Sequence, residues 1–124
     1  MSLRRLSVLQ WVGLLAAPLT WAAQHVVGFG VTQAECSAGG MHWGIANTTW
    51  QLSMLTVGVL VVVGAEAAAA VVFIRTRATG EDDPPPEGRL HFLAAAALVA
   101  NLLFLSIMVL DGIGSTVADL CRGG

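Results

Sequence analysis

The chain has 124 residues, of which 56% are hydrophobic and only 11% charged, and its mean hydropathy is +0.74. A water-soluble domain usually carries about a quarter charged residues, so this chain cannot cover a water-facing surface on all sides. The formal net charge is −2 and the sequence has no basic patch, which gives no support to a nucleic-acid-binding function. The length is that of a single domain.

Three long apolar runs divide the chain, at 6–31, 52–74 and 90–111. Each has about 20 residues or more, the length that an α-helix needs to cross a hydrocarbon core of about 30 Å. The second run is rich in valine, but an isolated strand would leave its backbone groups unsatisfied in lipid, so we predict a helix there too. The sequence therefore predicts an all-α integral membrane protein in which 1–124 form one domain with three transmembrane helices.

The segments between the runs differ in positive charge. The 32–51 loop has no arginine, whereas the 75–89 loop has three and two more precede the first run. By the positive-inside rule, the N-terminus and the 75–89 loop are predicted to be cytoplasmic. Three crossings then place the 32–51 loop and the tail 112–124 outside. The expected location is a bacterial inner membrane.

The N-terminal segment has a second interpretation as a cleaved signal peptide. Two arginines precede its apolar run, and Thr20 and Ala22 have the small-x-small spacing of a cleavage site. The run is longer than the apolar region of a typical signal peptide, which favours a retained first helix.

Both cysteines fall on the predicted outer side of the membrane. Cys36 lies in the 32–51 loop and Cys121 lies in the tail 112–124. The arginine pattern alone places both cysteines outside, where the environment is oxidising. The sequence therefore predicts a disulfide between them. The alternative is two separate thiols.

Two polar residues lie deep inside the apolar runs. Glu66 and Asn101 are about 8 and 11 residues from the cytoplasmic ends of their helices, which places Glu66 roughly 12 Å deep and Asn101 at nearly the same level. We expect a hydrogen bond between them if their helices are neighbours. An ionisable group at this depth indicates a proton relay or a contact with a partner subunit. The structural alternative is a protonated carboxyl that bonds to Asn101 or to a backbone carbonyl.

A second polar level is predicted near the outer membrane surface. His25 and Asp111 are expected to form an ion pair that positions their helices. A metal site completed by Glu35 and His42 is the alternative, but its ligand spacing matches no known motif. A bis-histidine haem is disfavoured because His91 begins the third helix at the opposite face. We therefore expect no cofactor bound by this chain alone.

The sequence contains no nucleophile–base arrangement, phosphate loop or metal motif. Small residues recur at four-residue spacing in each run, which favours close packing of helices. These pairs are Gly13 and Ala17, Gly64 and Ala68, and Ala96 and Ala100. The prediction is a non-catalytic subunit that packs against larger membrane subunits.

A resemblance to known proteins rests on the segment 17–22 (Ala-Pro-Leu-Thr-Trp-Ala) followed by Cys36. This part of the chain resembles small accessory membrane subunits associated with bacterial haem–copper terminal oxidases. The resemblance implies an accessory subunit of a cytochrome c oxidase or of a respiratory supercomplex, and it carries over no catalytic residue. Two alternatives are an assembly or metallation factor that uses His25, Met41 and His42, and a homo-oligomeric proton or ion pathway that uses Glu66.

Overall fold

The computed structural model describes residues 1–37, 46–80, 82–118 and 121. Within them the chain forms three α-helices and no strand: α1 (Leu3–Cys36), α2 (Asn47–Arg75) and α3 (Glu87–Val117). At about 1.5 Å per residue the helices are about 43 to 51 Å long, and each exceeds a hydrocarbon core of about 30 Å. Each is also apolar enough to cross a membrane. The predicted all-α fold with three membrane-spanning helices is confirmed.

The helices extend beyond the apolar runs from which they were predicted. The 32–51 loop is shorter than expected, because α1 continues to Cys36 and α2 already begins at Asn47. The tail 112–124 is shorter as well, because α3 continues to Val117. Hydropathy marks only the part of a helix that lies in hydrocarbon, whereas the helical backbone satisfies its own hydrogen bonds on either side of it.

The segment 76–86 connects α2 to α3, and residue 81 within it lies outside the described residues. It follows Arg75 and includes three consecutive prolines at 84–86, which cannot continue a helix because they lack a backbone N–H. The backbone N–H of Gly80 donates to the Asp83 carboxylate at 2.7 Å. A side chain at Gly88 would collide with the backbone carbonyl of Asp83, so only glycine fits at the start of α3.

Successive helices run in opposite directions, so the two ends of the bundle differ. What we call the arginine end holds the start of α1, the end of α2 and the start of α3. The disulfide end holds the opposite ends of the three helices. Five of the six arginines belong to the arginine end: Arg4, Arg5, Arg75, Arg77 and Arg89.

Small residues bring α1 and α2 into close contact. A Cβ atom at Gly13 would lie 3.0 Å from the backbone nitrogen of Ala69 and 3.2 Å from the carbonyl oxygen of Ala65. Ala17, one turn further along α1, is fully buried. The predicted pair of small residues on α1 therefore lies in a helix–helix contact.

The predicted pairs of small residues on α2 and α3 do not lie as pairs in a helix–helix contact. Gly64 and Ala96 are exposed, and a Cβ atom at Gly64 would meet nothing within 4 Å. Ala68 is buried, but the alanines that pack most tightly are neighbours of the predicted ones. These are Ala65 and Ala69 on α2 and Ala94 and Ala97 on α3. Four-residue spacing occurs on several faces of an alanine-rich helix, so it does not identify the packed face.

All three helices contribute to two apolar clusters. One lies towards the arginine end, and the other lies between the middle of the bundle and the disulfide end. The first contains Leu6, Val72, Leu90 and Ala94, and the second contains Ala17, Val62 and Met108. Trp21 and Phe104 pack against the second cluster with their ring centroids 5.8 Å apart.

The outward faces of the helices are apolar as well. In the most apolar stretch of each helix, only 22–33% of the residues are buried within the chain. Large apolar side chains such as Leu19, Val26 and Leu60 point outwards. This surface is far more apolar than that of a soluble monomer. It is suited to contact with a bilayer or with neighbouring membrane helices.

Candidate functional site in the middle and at the disulfide end of the bundle

Asn101 ties α3 to α1 in the middle of the bundle. The side chain is 1% exposed, and its Nδ2 donates a hydrogen bond to the carbonyl oxygen of Gly13 at 3.0 Å. The predicted hydrogen bond between Asn101 and Glu66 is therefore replaced by one to the backbone of α1. The position of a Cβ atom on Gly13 faces Ala65 and Ala69 of α2, so Gly13 contacts both other helices at this level.

Glu66 and Asn101 nevertheless lie at the same level and line one groove between α2 and α3, here called the α2/α3 groove. Its volume is about 290 Å³. The Oε2 atom of Glu66 and the Oδ1 atom of Asn101 are buried, and neither has a hydrogen-bond partner within the described part of the chain. The other residues that line the groove are apolar: Val62, Val63, Ala67, Ala70, Leu102 and Leu105.

The predicted pair at the disulfide end is present. His25 Nδ1 and Asp111 Oδ2 are 3.3 Å apart and join α1 to α3. Both side chains are about half exposed, at 54% and 55%, so solvent and headgroups weaken their attraction. The Trp21 ring lies beside His25, with ring centroids 4.8 Å apart. The pair therefore orients the two helix ends.

A cavity of about 500 Å³ lies between the three helices at the disulfide end, and two amide side chains in it join α1 to α2. Gln24 Nε2 donates to the carbonyl oxygen of Met54. Gln51 Nε2 donates to the carbonyl oxygen of Gly28 at 3.3 Å and to Thr32 Oγ1 at 3.2 Å. Sequence reasoning did not identify these contacts. The sequence did carry an indication of them, because Gln24 lies inside the first apolar run and Gln51 lies directly before the second.

The predicted disulfide between Cys36 and Cys121 is present, with the two Cα atoms 5.4 Å apart. It links the last residue of α1 to the segment that follows α3, across a sequence separation of 85. Both cysteines are therefore joined to each other and do not act as thiolate nucleophiles or metal ligands.

The structure describes only part of the proposed metal and metallation sites. Met41 and His42 lie outside the described residues, and the ring of His25 is already held by Asp111. Among the described side chains, no three of His, Cys, Asp and Glu lie close enough together to hold a metal ion. His91 lies at the arginine end, far from His25, and its Nδ1 is 3.0 Å from Thr76 Oγ1.

Comparison of the chain with protein-family models, with curated proteins and with solved structures found no match. The three long apolar helices define the class of the protein, which is a multi-pass integral membrane protein.

Proposed function

We propose that this protein is a non-catalytic accessory subunit of a multi-subunit respiratory membrane complex, either a cytochrome c oxidase or a supercomplex that contains one. The observation that carries the proposal is that three amide side chains between the helices join one helix to another. Asn101 joins α3 to α1, and Gln24 and Gln51 join α1 to α2. Side chains used in this way hold helices in position.

The sequence and the outward faces support membership of a larger complex. Most of the apolar surface of each helix is left free for contacts outside the chain. The resemblance of the segment 17–22 and Cys36 to oxidase-associated subunits supports a bacterial respiratory partner. The arginines support an orientation with the arginine end in the cytoplasm, and the disulfide fits an oxidising compartment at the other end.

The test is co-purification from the native membrane. The chain is tagged at its own locus, extracted in a mild detergent and separated on a native gel, and the co-migrating subunits are identified by mass spectrometry. We expect haem–copper core subunits in stoichiometric amounts, together with their haem absorbance. A tagged three-span protein of unrelated function serves as the control. Migration of the chain alone, or only with proteins that carry no haem, would contradict the proposal.

One alternative has a specific observation in its favour. Glu66 is an ionisable group with a buried oxygen in a groove between two helices, which is also the kind of residue that a homo-oligomeric proton pathway would use. Reconstitution of the purified chain in liposomes separates this function from the first. Equal proton flux for the wild-type chain and the Glu66→Gln variant would dismiss the pathway.

A further inference from the structure

Two buried oxygen atoms beside the α2/α3 groove have no hydrogen-bond partner within the described part of the chain. Asn101 donates its amide nitrogen to Gly13, so its unpaired polar atom is the acceptor Oδ1. The second free atom is the Oε2 of Glu66. Asn101 is 1% exposed, so its free oxygen is not satisfied by bulk water. Unpaired polar atoms are costly in hydrocarbon, which favours a partner that brings donors.

Among the described residues, Glu66 forms no salt bridge. Arg75 is the nearest arginine along α2, and it lies nine residues from Glu66, or about 13 Å at about 1.5 Å per residue. Ionisable groups at this depth usually pair with an opposite charge inside a helix bundle. In its ionised form, Glu66 beside a second acceptor is complementary to a basic side chain, which carries several N–H donors and no acceptor.

The shape of the groove suits a side chain carried by a helix. Its volume is about 290 Å³, and its lining is apolar apart from Glu66 and Asn101. Ala67 and Ala70 form one wall, and alanine allows the backbone of a second helix to approach closely. Val63 and Leu102 form an apolar rim at the exposed surface, which a neighbouring helix would cover.

We propose that a transmembrane helix of a different subunit docks along the α2/α3 groove and places an arginine or lysine side chain against Glu66 and Asn101. The inference rests on the proposed function, since it names the contact by which the accessory subunit holds its complex. A second copy of this chain is a poorer match. Two copies that meet at this groove would bring two Glu66 side chains together without supplying a basic side chain to either.

The docking face is tested by site-specific photo-cross-linking in native membranes. A photo-reactive amino acid replaces Leu102, which lines the groove, or its neighbour Leu103, which does not. The two positions form a matched pair because they are 56% and 61% exposed on the same helix. We expect position 102 to cross-link to a peptide from a membrane-spanning helix that contains arginine or lysine. We expect little or no such product from position 103.

The charge requirement is tested with variants of Glu66 in the chain that carries the cross-linker at 102. Glu66→Gln should lower the yield by about tenfold or more, because it leaves the partner's cation unpaired. Glu66→Asp should retain part of the yield.

The shape of the groove is tested in the same way. Filling the groove with Ala67→Leu should lower the cross-linking yield, whereas Ala96→Leu on an exposed face outside the groove should not. Non-reducing electrophoresis that detects the Cys36–Cys121 disulfide verifies that each variant folds.

The docking proposal would be overturned if position 102 cross-linked only to lipid, to a second copy or to a helix without a basic residue. An unchanged cross-linking yield in the Glu66→Gln variant would also overturn it. These failures differ from failure of the proposed function. If the chain co-purifies with the oxidase but cross-links from position 103 and not from 102, the groove is wrong and the function stands. If a basic helix is captured from a complex without haem, the groove stands and the proposed function is wrong.

Discussion

Asn101 shows how one side chain fixes the arrangement of two helices. In hydrocarbon, an amide that lost its acceptor would find no water to replace it, so its bond to the Gly13 carbonyl favours one rotation and one depth of α3 against α1. Measured hydrogen bonds between membrane helices are worth about 0.6 to 2 kcal/mol. The bond therefore contributes a modest free energy and favours one packing arrangement of α1 and α3.

We expect Asn101→Leu to lower the free energy of unfolding in detergent micelles by about 1 kcal/mol, because the variant removes an interhelical hydrogen bond. Titration with a denaturing detergent, followed by circular dichroism, measures the change. Ser106→Ala is the control, since the Ser106 hydroxyl donates only to Leu102 of its own helix. Equal stability of the two variants would show that the Asn101 bond contributes nothing.

The pair of His25 and Asp111 should contribute less. Because both groups are about half exposed, we expect a coupling of about 0 to 1 kcal/mol in a double-mutant cycle with His25→Gln and Asp111→Asn. The same unfolding titration provides the four free energies. A coupling well above that range would mean that the pair is shielded from solvent in the membrane, as by a bound partner.

At the scale of the helices, glycine positions decide how closely α1 and α2 approach. The atoms nearest to a side chain at Gly13 include the backbone of Ala69 and Ala65, which cannot move aside without separating the helices. At Gly64 the corresponding space is open. The two glycines lie on different helices but form a matched pair, because both are internal to a membrane-spanning helix and only one is in contact.

Gly13→Val should therefore destabilise the bundle by about 1 to 3 kcal/mol, the usual cost of overpacking, and it should also weaken the Asn101 bond. Gly64→Val should change the free energy of unfolding by no more than about 0.5 kcal/mol, as is usual for exposed substitutions. Both are measured by the same titration. If Gly64→Val destabilised the chain as much as Gly13→Val, the helix–helix contact would be wrongly placed.

The sequence predicted the helices well because twenty or more apolar residues in succession admit almost no other structure in a membrane. It also predicted the disulfide and the His25–Asp111 contact, since topology alone brings those residues to one end. It did not predict that Asn101 bonds to Gly13 or that Gly64 faces outwards. Those features depend on the rotation of each helix about its axis, which hydropathy and four-residue spacing do not determine.

For the whole molecule, the disulfide is the strongest single constraint on the unfolded chain. A cross-link over a separation of 85 residues stabilises a protein by up to about 4.5 kcal/mol in the chain-entropy model. We expect Cys36→Ser to cost less than this, because helices that stay inserted already restrict the chain ends. Thermal unfolding in detergent with and without reductant measures the effect. Reductant should destabilise the wild-type chain and leave Cys36→Ser unchanged, and an effect on the variant would contradict this.

Thiol labelling in intact cells tests most directly whether the bundle crosses the membrane with its disulfide end outside. A membrane-impermeant maleimide is applied before and after an impermeant reductant, and Thr79→Cys provides a thiol at the arginine end. Cys36 and Cys121 should be labelled only after reduction and without cell disruption, and a cysteine at 79 should be labelled only after permeabilisation. Labelling of the native cysteines only after permeabilisation, or labelling at 79 in intact cells, would contradict this orientation of the bundle.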